Sequence, residues 1–231
     1  MKLAIDSSQS SGSIAIIDKD RLLYSAFFDI RITHSETLMP ALDSAMSMCG
    51  FQPKDIEELY VCLGPGSFTG LRIGLATCKG IAFAGDIPVF GYSSLEMAAL
   101  PCVIAGKPIL SVIDAKMQEV YVAGFNAELK PTISARVISP KSVADLDIEG
   151  YIITGSGVPQ VSGILQEAGI RVCYAPPYLH QLKAEMLFEL PRYISPNVYQ
   201  GKDLANLEPL YIRESTAQIR ASTPKPQTPK P

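Results

Sequence analysis

The stretch Gly64-Pro65-Gly66-Ser67-Phe68-Thr69-Gly70-Leu71-Arg72-Ile73-Gly74-Leu75 decides how this chain folds. It follows a strand-like run, Glu58 to Leu63, and opens a helix-like run that continues to about Ala84. Pro65 and its two flanking glycines set a tight turn. Ser67 is a natural N-cap, because its hydroxyl can accept from an orphan backbone N–H one turn on. A glycine turn at a helix N-terminus can hold a phosphate. It is not a P-loop, since no Lys-Ser or Lys-Thr follows the last glycine. Two readings stand side by side: a phosphate site, or a plain strand–turn–helix connection.

The helix carries more information than the turn. At 3.6-residue spacing, Gly70, Gly74, Thr77 and Cys78 fall on one side, and Ala76, Gly80 and Ala84 on another. Each interior glycine costs about 1 kcal/mol relative to alanine. Three of them need a compensating gain, which close backbone approach on two faces supplies. One face is expected on the protein's own sheet, leaving the other for a second helix or a partner. The alternative is that both faces are internal.

Outward from this stretch, the 231 residues have room for one large domain or two small ones, and 47% are hydrophobic, ample for a core. The formal net charge of −3 argues against a protein that grips nucleic acid alone, which needs a basic footprint. Five cysteines without a Cys-x-x-Cys pair argue against a disulfide framework or a zinc ribbon and for a reducing compartment. The N-terminus meets a charge too early for a signal peptide, and no apolar run is long enough to span a membrane.

In chain order, residues 2–7, Gly12 to Ile17 and Arg21 to Phe28 read as an antiparallel meander. A helix follows with Leu38, Leu42, Ala45, Met46 and Cys49 on one face; Ser35 or Thr37 could cap it, and Pro40 leaves its start open. After the central turn and helix come a strand (Pro88 to Tyr92) and a short helix (Ser94 to Leu100). The pattern then restarts. Ile109 to Asp114, Glu119 to Phe125 and Thr132 to Ser139 form a second meander, followed by a short helix, Pro140 to Leu146. Glu149 to Gly157 echoes Glu58 to Gly66 at an offset of 91, and Asp6 matches Asp114 at 108. A shorter first helix and loop would absorb the difference. The chain therefore reads as a duplicated α/β unit. Further helices are expected at Gln160 to Ala168 and Leu179 to Leu190, the second with Leu182, Met186 and Leu190 as core. A strand is expected at Ile170 to Tyr174 and a strand or extended arm at Leu207 to Arg213. Residues 215–231, with four prolines in the last eight, are expected to be a disordered tail.

Chemistry-bearing residues are sparse. His34 and His180 are too far apart to form a helical metal pair, and no Gly-x-Ser-x-Gly elbow is present. The cysteines lie mainly in apolar runs, as inert thiols do. Asp6 and Asp114 end strands; they could position Mg²⁺ through water near a nucleotide, or simply cap turns. Ser8 stands where kinase-like phosphate loops have glycine, which weakens autonomous ATP binding.

The signature Gly64 to Gly74 resembles that of the TsaB (YeaZ) family, which helps make threonylcarbamoyladenosine in bacterial tRNA. The likeness extends to Leu3-Ala4-Ile5-Asp6-Ser7, His34 to Pro40, Val112 to Lys116 with Glu119-Val120-Tyr121, and Pro209-Leu210-Tyr211-Ile212-Arg213; Lys116 replaces a usual arginine. It implies an α/β protein of the duplicated ASKHA (actin/Hsp70/sugar-kinase-like) fold, with halves at 1–100 and 101–214. It implies a cytoplasmic, non-catalytic relative of the synthase TsaD, to which it binds through its first two helices. TsaE is a further partner and TsaC a functional one; tRNA is met only through the complex, and the chain alone is expected to form a homodimer. The synthase holds a metal with two histidines; the aligned positions here are Ser94 and Ala98, so no metal is expected. No cofactor is expected to bind autonomously, with ATP or ADP and Mg²⁺ possible within the complex. The nucleotide-proximal candidates are Asp6, Ser7 and Asp114. The interface candidates are Gly70 and Gly74 for close approach, Leu38, Leu42 and Met46 for apolar contact, and Arg72 and Lys79, seven apart, as a charged rim. The competing reading is an independent sugar-kinase-like ATPase or glycoprotease-like enzyme.

Overall fold

A computed structural model describes residues 1–29 and 34–212, His34 by its backbone only. The first sheet begins as a meander of β1 (Lys2–Asp6), β2 (Gly12–Asp18) and β3 (Arg21–Phe28). Helix α1 (His34–Cys49) leads to β4 (Glu58–Gly64), α2 (Phe68–Gly85), β5 (Val89–Ser93) and the short α3 (Ser94–Ala99). The second sheet is built from β6 (Ile109–Lys116), β7 (Glu119–Phe125), β8 (Pro131–Ile138) and β9 (Ile152–Thr154), then α4 (Val158–Glu167) and β10 (Cys173–Tyr174). A last strand, β11 (Asn197–Tyr199), returns to the first sheet. The strand orders are β11-β5-β4-β1-β2-β3 and β10-β9-β6-β7-β8.

The duplication is visible in the pairing. β1 runs antiparallel to β2 and parallel to β4; β6 runs antiparallel to β7 and parallel to β9. Asp6 and Asp114 stand near the ends of equivalent central strands. Gly64 and Gly155, matched by the echo, both take the left-handed region, at φ +96° and +103°, where only glycine is unstrained. The two halves are related α/β units, the duplicated plan that the ASKHA resemblance implies.

Burial explains the strands. The central strands are covered on both faces and read as near-continuous apolar runs, Leu3-Ala4-Ile5 and Ile109-Leu110, instead of alternating. Helix α1 lays Leu38, Leu42 and Ala45 on one face of the first sheet, beside Leu75, Cys78 and Ala82 of α2. A second cluster lies between the halves and joins Tyr92, Leu95 and Met97 to Ile113, Phe125, Leu182 and Leu190.

Three expectations are corrected. The helix expected at Leu179 to Leu190 is replaced by 3₁₀ turns at Pro177–His180, Ala184–Phe188 and Leu190–Arg192. Leu182 and Leu190 are buried as expected, but the backbone is fixed from outside. The Ser13 hydroxyl accepts from the Ala184 N–H at 2.8 Å and donates to the Leu182 carbonyl at 3.5 Å. The strand expected at 170–174 is only two residues long. Finally, the division at residue 100 is crossed: β11 completes the first sheet, and the turn at Ala184–Phe188 packs against β1, β2 and β4. The expected tail at 215–231, and Arg213, lie outside the described residues.

Candidate partner face and inter-half cleft

The first loop, Asp6 to Gln9, is pressed onto the start of α2. Ser67 caps the helix by accepting from the Gly70 N–H at 3.2 Å, and its own N–H donates to the Ser8 carbonyl at 2.7 Å. A Cβ on Gly66 would overlap that same carbonyl, which is why the turn needs glycine there. One residue earlier, the Ser7 hydroxyl donates to the Gly70 carbonyl at 2.8 Å. A Cβ on Gly74 would collide with this hydroxyl and approach Ile5. The close approach permitted by Gly74 is therefore to the protein's own loop, and Gly70 meets the same loop through its carbonyl. Both are buried, and their assignment to the partner face is corrected.

Two of the nucleotide-proximal candidates are also placed inside. Asp6 is 0% exposed and accepts from the Ser8 N–H at 3.0 Å; Ser7 is buried by its bond to α2. Neither reaches solvent. Burial pushes the nearby Cys62 thiol well above its ordinary range, and the Asp6 carboxylate adds to that, so this sulfur stays protonated. Asp114 differs. It lines a cleft of about 850 Å³ between the halves, with Gln9, Ser67 and Arg72 on one wall and Lys116 and Ser156 on the other. Partial burial would raise its carboxyl, but the Lys116 ammonium at 2.6 Å, the Lys116 N–H and Gln160 outweigh it and hold the group below its usual range. The Ser156 hydroxyl donates across to Gln9 at 3.1 Å and ties the two walls together.

The exposed apolar surface of α1 and α2 differs from the partner face expected from the sequence. Leu38 and Leu42 are 1% exposed and belong to the core; Met46 packs against that core from its edge. Neither leucine is available for an apolar contact outside. The exposed apolar groups of α1 are Met39 and Met48, 56% and 74% exposed. On α2 the open side runs through Thr69, Ala76, Gly80 and Phe83, and Phe83 is 84% exposed. Nothing lies within 4 Å of where a Gly80 Cβ would be, in contrast to Gly74. The Ala76–Gly80–Ala84 stripe was the legible signal for this side; the adjoining Phe83 and Met39 give no periodic warning. A groove of about 770 Å³ flanks Phe83, walled by Ala82 and Leu204. Arg72 and Lys79 do share a third side, but both hold the chain's own C-terminal segment: Arg72 Nε donates to the Tyr211 hydroxyl at 3.3 Å and Lys79 Nζ to the Ala205 carbonyl at 3.1 Å.

Ser94 and Ala98, which the resemblance sets at the synthase's two histidine positions, are fully buried, and the Ser94 hydroxyl donates to the Pro65 carbonyl. Neither side chain fits a metal. Among the described residues no group of three or more His, Cys, Asp or Glu is placed to hold one. The His34 side chain lies outside the described residues. His180 is half-buried, and burial lowers its pKa against the opposing bond to Ala175.

Residues 30–188 match the family model for TsaD, tRNA N6-adenosine threonylcarbamoyltransferase. A TsaB protein of Haemophilus influenzae is 31% identical over 169 residues, 67% of this chain and 71% of that one. The TsaB protein of Bacillus subtilis is 35% identical over 119 residues, 52% of each chain. The matched region thus spans about half of that relative's length. The YeaZ structure from Pseudomonas aeruginosa covers 91% of this chain and 98% of its own at a TM-score of 0.74 and 25% identity. This chain belongs to the TsaB (YeaZ) family. Its curated TsaB relatives are named for tRNA threonylcarbamoyladenosine biosynthesis, and the family works in that pathway. As a TsaB-family chain it has no helix, among the described residues, long and apolar enough to cross a membrane.

Proposed function

We propose that this chain is a non-catalytic scaffold or activator subunit. It binds a TsaD-type synthase in the complex that makes threonylcarbamoyladenosine beside the tRNA anticodon. The observation that carries this reading is the closure of the first loop on α2. In a nucleotide-binding half, a loop and a helix N-terminus leave N–H donors free for phosphate. Here the Ser67 N–H is taken by the Ser8 carbonyl and the Gly70 N–H by the Ser67 hydroxyl. Asp6, the carboxylate that would position Mg²⁺, is shut beneath them. The same helix keeps a small-residue, apolar side open through Ala76, Gly80 and Phe83, suited to helix packing. In this reading TsaE joins the complex, TsaC supplies its substrate, the chain alone pairs with a second copy, and tRNA is met only through the complex. Any ATP or ADP with Mg²⁺ binds only in the assembled complex, in the cytoplasm.

A second reading, an autonomous sugar-kinase-like ATPase or glycoprotease-like enzyme, draws on the inter-half cleft with Asp114 on its wall. Two measurements separate them. The first is co-purification with a TsaD-type synthase followed by a tRNA modification assay; binding and a rise in modification are expected. The second is turnover by the chain alone with ATP and Mg²⁺. Sustained hydrolysis without the synthase would install the second reading in place of the first.

A further inference from the structure

The segment after β11 runs back along α2 in the opposite direction and is fastened at three levels. Gln200 Nε2 donates to the Asp86 carbonyl at the helix C-cap at 2.8 Å. Lys79 Nζ reaches the Ala205 carbonyl about two turns earlier. At the first turn of the helix, Arg72 donates to the Tyr211 hydroxyl. Arg72 also lies 3.9 Å over the Phe68 ring, whose centroid is 5.9 Å from that of Tyr211, so the guanidinium stacks on one ring and bonds the hydroxyl of the other while the two rings pack on each other. Arg72 and Lys79 are two helical turns apart and share one side, so both cations serve one purpose.

The fastenings are unequal. Leu204 and Leu207 are buried in the core of the first half, which anchors the segment's beginning. Beyond them, Leu210 and Tyr211 are exposed, Ile212 packs part-buried against the cluster between the halves, and a backbone bond from the Leu210 N–H to the Leu63 carbonyl at 2.7 Å joins the segment to β4. Leu210, Tyr211 and Ile212 meanwhile form part of the wall of the inter-half cleft, facing Tyr121 and Lys116. A segment whose side chains are exposed or only part-buried opens at a lower free energy than the fully buried strands beneath it.

We propose that residues 208–212 are a releasable clasp whose docking closes one wall of the inter-half cleft and whose latch is Arg72, stacked on Phe68 and bonded to the Tyr211 hydroxyl. Docked, the clasp covers the Arg72 flank of α2 and leaves the Ala76–Gly80–Phe83 side open. Released, it widens the cleft mouth and frees the guanidinium. Arg72 is a positioning residue in this device and touches no substrate. The clasp is independent of what binds the open side, so it stands or falls separately from the proposed function.

Amide hydrogen exchange on the full chain tests it. The Leu210 N–H is the reporter, and the Leu59 N–H, which donates to the Pro88 carbonyl inside the first sheet, is the reference. In the unsubstituted chain Leu210 should be protected, but less than Leu59. Arg72→Ala should speed Leu210 exchange about tenfold or more with Leu59 unchanged. Tyr211→Phe, which removes only the acceptor and keeps the ring, should give a smaller acceleration in the same direction. If Leu210 exchanges as slowly as Leu59 and ignores both substitutions, the segment is a fixed part of the fold and the proposal fails. It fails too if Leu210 is unprotected from the start, or if Arg72→Ala accelerates both amides equally. The chain has no tryptophan, so Tyr211→Trp adds an independent reading. Its emission should shift to the red on adding Arg72→Ala, and an unchanged spectrum would also overturn the latch.

Discussion

At the scale of single residues, two glycines six residues apart on α2 illustrate opposite demands. Gly74 has its missing Cβ against the Ser7 hydroxyl, which is buried and bonded to Gly70. Gly74→Ala should therefore cost about 1–3 kcal/mol, through overpacking and the loss of that hydrogen bond. The rest of the strain is relieved if the hydroxyl is removed as well. In a double-mutant cycle, Ser7→Ala combined with Gly74→Ala should be less destabilising than the sum of the two, measured by urea unfolding. Additivity would show that the hydroxyl is not what Gly74 accommodates. A second residue-scale expectation concerns Glu96. It accepts from the Ser93 N–H at 2.8 Å in a capping box, yet burial raises its pKa more than that bond lowers it. A carboxyl with a raised folded pKa favours the folded state most when protonated. Its contribution is full below the ordinary carboxylate range and is lost as pH rises through the folded value. Glu96→Gln keeps an acceptor without the charge. Against the unsubstituted chain it should gain thermal stability at pH 7 relative to its standing at pH 4, read from unfolding temperatures at the two pH values.

At the scale of elements, α2 divides into an inner side, an open side and a flank held by the chain's own C-terminal segment. Gly80 stands on the open side with no neighbour within 4 Å and an ordinary helical backbone. Gly80→Ala should thus stabilise the isolated chain by about 0.5–1 kcal/mol, the helix-propensity difference alone. The contrast with Gly74→Ala is the test of the helix's orientation, and a destabilised Gly80→Ala would contradict it. Replacing Ala76 by arginine should leave the unfolding midpoint within about 0.5 kcal/mol, as surface changes do, and weaken binding of a TsaD-type synthase at least tenfold in a titration. Unchanged binding would move the partner face away from this side of α2.

At the scale of the whole molecule, the halves resemble each other but do not stand alone. The cluster between them takes side chains from β5 and α3 of one half and from β6, β7 and the 3₁₀ turns of the other. β11 and the Ala184–Phe188 turn lie on the first sheet although they come late in the chain. A fragment ending at Gly106 loses these and exposes Tyr92, Leu95 and Met97. It should show no cooperative thermal transition by circular dichroism, whereas the full chain should unfold in one. A sharp transition in the fragment would make the first half an independent folding unit.

The sequence by itself determined the duplicated α/β plan, the strand–turn–helix at Gly64 to Ala84 and the two-sided character of that helix. These rest on local physics: turn glycines, an N-cap serine, small residues at helical spacing and apolar runs that only buried strands carry. Tertiary structure decided which side of the helix is inside. Spacing separates Gly74 from Gly80 without saying that a serine hydroxyl waits beside the first. It likewise decided that Leu38 and Leu42 face the sheet and that Arg72 and Lys79 grip a segment more than a hundred residues away. The 179–190 stretch shows the same limit, because apolar spacing suited to a helix was overridden by Ser13 from a distant strand. Contacts between residues remote in the chain leave no period in the sequence, so orientation and docking appear only once the halves have packed.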